Sequence, residues 1–354
     1  TVTVAYDPGD ADHGADVLAA VSQTAVYAGQ GKSVKLVFPA GDYYFNDTSM
    51  DTLIKLDGVN NVAIAGAGAH LHFTSRKQSL ISSEGSENVS VSGVKITYAT
   101  GALRIQGHVT AVDAPSKTVT LSIEPGYPDF TASGSHTSDI FLLLDPTIDG
   151  RQKTGSVSFY RMVFNGYSRN PDGTWEVVLD RTSIPEWEVG DRFVFHFRSG
   201  SPVTTRFSDS QAVTLHGLEI GGWGNMIVGS THGSLINLLN VDTFYQKDKW
   251  MVGNADGVHL RGNTIGPWIE GAHIQGNGDD GIALYARPAS MTSAKPGGAQ
   301  NAAVFRLDHF NLEPGNEVAF FEPLIGTILL ETRVVSVVNQ DGTYLVHFED
   351  DLPD

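Results

Sequence analysis

Five short runs in this chain share one frame, in which apolar residues alternate and then break at a Gly or Asn. They are Val62-x-Ile64-x-Gly66, Val89-x-Val91-x-Gly93-Val94-x-Ile96, Val213-x-Leu215-x-Gly217-Leu218-x-Ile220, Ile236-x-Leu238-x-Asn240-Val241 and Ile269-x-Gly271-Ala272-x-Ile274. Alternation with period two marks a strand with one buried face, and Gly or Asn takes the positive φ that turns a chain. The intervals are 27 residues from Gly66 to Gly93, 23 from Gly217 to Asn240 and 31 from there to Gly271. Such spacing predicts an all-β parallel β-helix whose coils carry loops of variable length. Turns at these intervals also describe a β-sandwich, and periodicity alone does not separate the two.

One interval is far too long. Gly93 and Gly217 lie 124 residues apart, and the sequence between them reads as antiparallel hairpins: His108-Val-Thr-Ala-Val, Thr118-Val-Thr-Leu-Ser-Ile, Trp175-Glu-Val-Val-Leu and Arg192-Phe-Val-Phe-His-Phe. A second region echoes the first. Glu188-Val-Gly-Asp-Arg-Phe-Val-Phe is matched by Glu313-Pro-Gly-Asn-Glu-Val-Ala-Phe, and Asp172-Gly-Thr-Trp-Glu-Val-Val-Leu by Asp341-Gly-Thr-Tyr-Leu-Val-His-Phe. The expected organisation is a β-helix start over 1–100, an inserted β-barrel module over 101–200, further coils over 201–302, and a second barrel over 303–354. Closing coils are expected beyond Asp354.

Asp10 to Ala28, with Val17, Leu18, Val21 and Val26 near helical spacing and Asp10 or Asp12 as N-cap, predicts an amphipathic helix. A helix followed by Val34-Lys-Leu-Val-Phe-Pro-Ala-Gly-Asp-Tyr resembles the entrance of right-handed β-helix enzymes, where it caps the first coil.

Composition narrows the partners. The formal charge of -17 over 354 residues repels polyanions and disfavours nucleic acid. It also leans against pectate or alginate as substrate. No stretch of eighteen apolar residues occurs, so a membrane span is not expected. There is no cysteine, hence no disulfide and no thiolate metal site. A chain that starts at Thr1 reads as a processed mature protein, secreted or periplasmic. Nothing in the sequence fixes its oligomeric state.

The chemistry concentrates in Asn254 to Tyr285. Asp256 lies between Asn254 and Gly257, and the adjacent pair Asp279 and Asp280 between Gly278 and Gly281. The pair follows Asp256 by about one coil, which places three carboxylates near one surface spot. Glycoside hydrolysis needs a protonated carboxyl at the leaving oxygen and an ionised one behind a water. Like charges at close range raise one pKa and so supply the proton donor. Neighbouring strand residues face opposite sides, so Gly278 and Gly281 are read as permitting a bend that brings both acids to one cleft.

Asn254-Ala-Asp256-Gly-Val-His259 followed by Gly278-Asp279-Asp280-Gly-Ile-Ala resembles the N-T-D…D-D core of the polygalacturonase family and its β-helix relatives. With barrel insertions, the likeness is closest to the blood-group-B type α-1,3-galactosidase family, and the α-1,3-glucanase family shares the three-aspartate pattern. This resemblance implies a glycosidase that inverts configuration, with Asp256, Asp279 and Asp280 as the catalytic set. We assign Asp279 as general acid, with Asp256 and Asp280 holding the water. The polygalacturonase G-H-G and R-x-K motifs, which handle the uronate, are not found after Asp280, which fits a neutral sugar. Gly281-Ile-Ala-Leu-Tyr285 departs from the I-N-x-H-like segment that follows the aspartates in the galactosidase family.

Asn254, His259, Arg261, Gln275, Asn277 and Arg287 are candidates to bond sugar hydroxyls, and Trp250 and Tyr285 to stack on a sugar ring. Trp223 is a further stacking candidate, and Trp268 is expected in the core. Pro288 to Gln300 reads as a mobile loop. No cofactor is expected, and no His or Glu completes a metal set around the aspartates. The partner is an oligo- or polysaccharide. A calcium-dependent polysaccharide lyase and a β-helix that binds glycan without cleaving it are the rival classes.

Overall fold

The computed structural model describes all residues except 48, 132–139, 157–158, 161–163, 180–186, 199, 287, 307–311, 323 and 354, and describes the backbone alone at 140, 159, 160, 164 and 165. The chain divides into a unit over Thr1–Leu284 and a unit over Tyr285–Asp354.

In the first unit the repeated frame folds into parallel coils. Leu36 pairs with Ile64, Ile64 with Val91, Val91 with Leu215, Leu215 with Leu238 and Leu238 with Ile269. The first five of these side chains are wholly buried. Stacking identical registers lets each apolar residue cover the one above, so a single column removes every coil's inner face from water. Gly93, Gly217, Asn240 and Gly271 lie at matching positions, all with φ between 51° and 69°, and this left-handed residue is what turns each coil out of the strand. The other wall is a six-stranded parallel sheet containing Thr52–Lys55, Ser79–Glu84, Thr205–Ser208, Val228–Thr231, Val258–Arg261 and Ile282–Tyr285. The fold is therefore a parallel β-helix.

The capping helix spans Gly14–Gly29 and buries Val17, Ala20, Val21 and Ala28. It starts four residues later than its sequence suggests. The Asp12 carboxylate accepts from Gly14 N at 2.8 Å, and also from Asn46 N at 2.8 Å and Asp47 N at 2.6 Å. His13 N donates to Tyr44 O at 2.9 Å. The residues before the helix are thus spent tying it to the first coil.

Between Tyr98 and Thr205 the chain leaves the helix and forms an antiparallel sheet. Its order is Phe159–Tyr160, Ile140–Leu144, Arg192–His196, Arg104–Asp113, Thr118–Ile123, Trp175–Leu179, Phe164–Arg169. Phe130, Phe141, Trp175, Trp187, Phe193 and Phe195 fill its own core. The first and last of its long strands pair, His196 with Arg104, so the excursion starts and ends at one point. A single-coil register is kept across it, with Leu215 beside Val91.

The second unit is a five-stranded antiparallel sheet in the order Met291–Ala294, Ala302–Arg306, Thr343–Phe348, Ile328–Gln340, Glu317–Phe321. Ala303, Phe305, Val334, Val346, Phe348 and Leu352 form its core. The expected loop at Pro288 to Gln300 instead holds the strand Met291–Ala294 and a 3-10 turn at Pro296–Gly298. Ser293 and Ala294 find backbone partners in Val304 and Ala303, which a composition of small residues does not announce.

Candidate active site

Two backbone bonds place the aspartates together. Gly257 N donates to Asp280 O at 2.9 Å and Val258 N to Gly281 O at 3.0 Å, so the Gly-Asp-Asp-Gly turn lies directly on the coil that carries Asp256. The contact is tight enough to require glycine. A Cβ at Gly257 would sit 2.5 Å from Gly281 O, and one at Gly278 would sit 2.5 Å from Asn254 O. Neither Gly278 nor Gly281 has a positive φ, so Gly278 serves by lacking a side chain and not by permitting a special turn.

The result is a cluster in which one carboxylate oxygen from each of Asp256, Asp279 and Asp280 lies within 4.8 Å of the others. Asp256 is buried, Asp279 half-buried and Asp280 exposed. Asp256 accepts from His259 Nδ1 at 2.5 Å. Arg198 bridges the group, with one guanidinium nitrogen 2.8 Å from Asp279 Oδ2 and the other 4.0 Å from Asp256 Oδ1. Burial, followed by the neighbouring Asp280 charge, raises the Asp279 carboxyl above the ordinary carboxylate range. The Arg198 ion pair pulls in the opposite direction and keeps three like charges from driving the coils apart. Three acidic oxygens this close are also a candidate cation site, but Arg198 already supplies positive charge there.

Arg198 is the residue the sequence does not reveal. It follows the last strand of the inserted sheet, and that sheet grips the coil bearing Asp256. Asn254 is wholly buried and bonds across the junction: its Oδ1 accepts from His196 Nδ1 at 2.7 Å and its Nδ2 donates to Leu103 O at 2.6 Å. Arg104 donates to Val252 O at 2.7 Å, and Gln106 Nε2 to Asp248 O at 2.8 Å. Burial pushes His196 down to about 3, so the imidazole is neutral, donates through Nδ1 and leaves a buried Nε2 without a partner among the described residues.

The other expected contacts divide. His259 and Arg261 lie on the strand Val258–Arg261 and line a groove of about 390 Å³ across the parallel wall, together with Thr52, Ser82, Arg206 and Thr231. Asn277 Nδ2 donates to Asp280 O at 3.2 Å and shapes the acidic turn. Asn254 is a structural anchor and no longer a sugar contact, because every polar atom of its amide is spent within the fold. Gln275 likewise donates to Thr243 O at 3.0 Å, on the preceding coil. Trp250 is corrected too: it is 8% exposed, packed beside Leu142, Leu144 and Val194, with the Arg192 guanidinium 4.8 Å above its ring. Trp268, expected in the core, is 63% exposed, and its Nε1 donates to Glu270 at 2.9 Å. Trp223 is wholly buried, its ring packed on Gly253. Tyr285 is part-exposed and belongs to the second unit. Arg287 lies outside the described residues.

No family model matches the sequence, and no curated protein matches it. Among solved structures the chain is similar to a "putative glycosyl hydrolase" from Parabacteroides merdae, at 11% identity over 76% of this chain and 85% of that one, with a TM-score of 0.32. It is also similar to the tailspike protein gp49 of Pseudomonas phage LKA1, at 14% identity over 72% of this chain and 40% of that one, TM-score 0.22. A third is the tailspike gp61 of Pseudomonas phage phi297, at 12% identity over 81% and 48%, TM-score 0.23. The chain thus spans less than half the length of either tailspike, and its β-helix assignment rests on the strand registers given above.

Proposed function

We propose that this protein is an exported glycoside hydrolase that cleaves an α-linked neutral sugar, in the manner of an α-1,3-galactosidase, with inversion at the anomeric carbon. The observation that carries this reading is the convergence of Asp256, Asp279 and Asp280 from adjacent coils to within 4.8 Å, beside a hydroxyl-lined groove. Asp279, whose carboxyl is raised, protonates the glycosidic oxygen. Asp256 and Asp280 share the attacking water, since one water bonded at about 2.7 Å to each of two oxygens spans this separation. The spacing is nearer to the roughly 5 to 5.5 Å associated with retention than to the roughly 6.5 to 9.5 Å associated with inversion. The first-formed anomer is therefore the informative quantity.

The test is a product profile against α-galactosides, α-1,3-glucans and galacturonans, with proton NMR of the initial product and Asp256→Asn as control. Inverted product from an α-galactoside and loss of turnover in the variant are expected. A product that keeps the substrate's configuration removes the inverting role assignment, and full turnover by Asp256→Asn removes the site. An acidic glycan is the second reading, favoured by Arg206 and Arg261 in the groove, neither of which has a carboxylate within ion-pair distance among the described residues. Cleavage of galacturonan in preference to the neutral substrates supports it.

A further inference from the structure

A second polar cluster lies on the outer face of the first coils, on strands that do not carry the aspartates. Asp42 pairs in register with His70 and Tyr44 with His72, while His70 and His72 pair with Lys95 and Thr97 of the next coil. Alternation puts Asp42, His70, His72, Lys95 and Thr97 on the same outward face, with the Lys95 ammonium 3.7 Å from Glu219 of the following coil.

These groups make three hydrogen bonds and one further close approach, and the protons available cannot serve all four. His72 Nε2 lies 2.7 Å and His70 Nδ1 3.3 Å from the same oxygen, Asp42 Oδ1. The far nitrogens of both rings reach one hydroxyl: Thr97 Oγ1 is 2.9 Å from His70 Nε2 and 3.2 Å from His72 Nδ1. Four contacts are formed. Two neutral imidazoles and a threonine hydroxyl carry three protons, and an ionised carboxylate carries none. One contact must therefore face lone pair against lone pair unless a positive centre sits among these atoms.

We propose that Asp42, His70 and His72 bind a divalent transition-metal ion of the zinc class, through Asp42 Oδ1, His70 Nδ1 and His72 Nε2. The three atoms lie within 4.8 Å of one another. Tetrahedral bonds of about 2.0 to 2.1 Å separate ligand atoms by roughly 3.3 Å, which is the present His70–Asp42 distance. The His72–Asp42 distance must open by about 0.6 Å to match, and the Asp42 side chain, 57% exposed, is free to move. With the metal present, both rings donate their remaining N–H to Thr97 Oγ1, which fixes tautomer and ring orientation as an outer-shell group does. Tyr44 stacks on His72 with centroids 4.7 Å apart and holds that ring from the other side. Imidazole nitrogen with a single carboxylate selects zinc, nickel or copper over magnesium and calcium. The ion joins a side chain of the first coil to two of the second, so it acts as a clip at the start of the solenoid.

The experiment is titration calorimetry of the full chain with zinc chloride at neutral pH, beside magnesium chloride, together with visible spectra after cobalt loading. One equivalent of zinc, no magnesium response, an intense tetrahedral cobalt spectrum and a zinc-dependent rise in unfolding temperature are expected. His72→Phe, which keeps the ring against Tyr44, and Asp42→Asn, at an exposed position, must both abolish that equivalent. Asp256→Asn must leave it intact, which separates this site from the aspartate cluster. Absence of zinc binding, or zinc binding unchanged in both His72→Phe and Asp42→Asn, overturns the proposal.

Discussion

The two antiparallel sheets share a turn and differ in what their strands face. In the first, Glu188 N donates to Asp191 Oδ2 at 2.8 Å, Gly190 has φ 95° and donates to Val109 O, and Val109 N returns to Asp191 O. In the second, Glu313 N donates to Asn316 Oδ1 at 2.9 Å, Gly315 has φ 93° and donates to Val334 O, and Val334 N returns to Asn316 O. The repeated sequence is thus a repeated local structure. The strands that follow diverge. Val194 and His196 are wholly buried, while Ala319 and Phe321, at the matching positions, are exposed. One module has turned a sheet face and the residue after it, Arg198, toward a coil that carries an acid. The comparison teaches that the same hairpin scaffold becomes part of a reaction centre only through the side chains on that face.

The sharpest way to break this contrast is Arg198→Met. Removing the only guanidinium that the described residues place on the acids is expected to lower kcat/KM by about 10² to 10³-fold. It also raises the Asp279 carboxyl further, so the alkaline limb of the pH profile moves upward. Activity within a few-fold of the parent, with an unmoved profile, detaches the first module from the chemistry. Next in size is Asn254→Ala, which strips buried partners from His196 and Leu103 O. A loss of about 2 to 5 kcal/mol in urea unfolding is expected, and a loss below 1 would show that the grip on the coil is made elsewhere.

Acid tests the same junction. His196 is held near 3 in the fold, against about 6.5 for an ordinary imidazole. Below pH 6.5 the unfolded chain takes up the proton that the folded chain refuses, so this stabilisation, complete above pH 6.5, is lost as the pH falls toward 3. Between pH 7 and pH 5 the parent should lose about 2 kcal/mol more than His196→Gln, and equal losses exclude His196 as the source. The last test compares the two turns. Asp191 also binds Lys153 at 2.8 Å, with 5% and 18% side-chain exposure, a partner that Asn316 lacks among the described residues. Asp191→Ala should cost about 3 kcal/mol and Asn316→Ala about 1, and equal costs mean the ion pair adds nothing.

The coil frame was legible because a β-helix strand announces its buried face by alternation, and because Gly or Asn at a fixed place in the frame turns the chain. The aspartate cluster was legible because one coil separates Asp256 from Asp279. What stayed hidden came from outside the repeat. Arg198 precedes Asp256 by 58 residues and belongs to no motif; only the docking of the inserted sheet brings it in. Trp250 follows the polar run Gln246-Lys247-Asp248-Lys249, a pattern that suggests an exposed ring, yet Lys249 is itself buried, with Nζ donating to Tyr98 O at 2.6 Å. A polar sequence is no guarantee of solvent where a second sheet covers the coil. Trp268 shows the reverse: Ile269 continues the column that Leu238 belongs to, so alternation turns the neighbouring indole outward.

The pairing of Arg104 with His196 also bears on how the protein folds. Joining the coil at Glu87 to the coil at Gln211 closes a loop of 124 residues, against 27 for the preceding coil. Each doubling of a loop adds about 0.6 kcal/mol of closure entropy, so an unfolded excursion would cost the solenoid roughly 1.3 kcal/mol at that step. If the excursion folds first, its two ends already touch and the remaining loop is close in length to an ordinary coil. The chain would then grow from a nucleus in the middle of its sequence rather than wind from the N-terminus, with the longest detour acting as the shortest path.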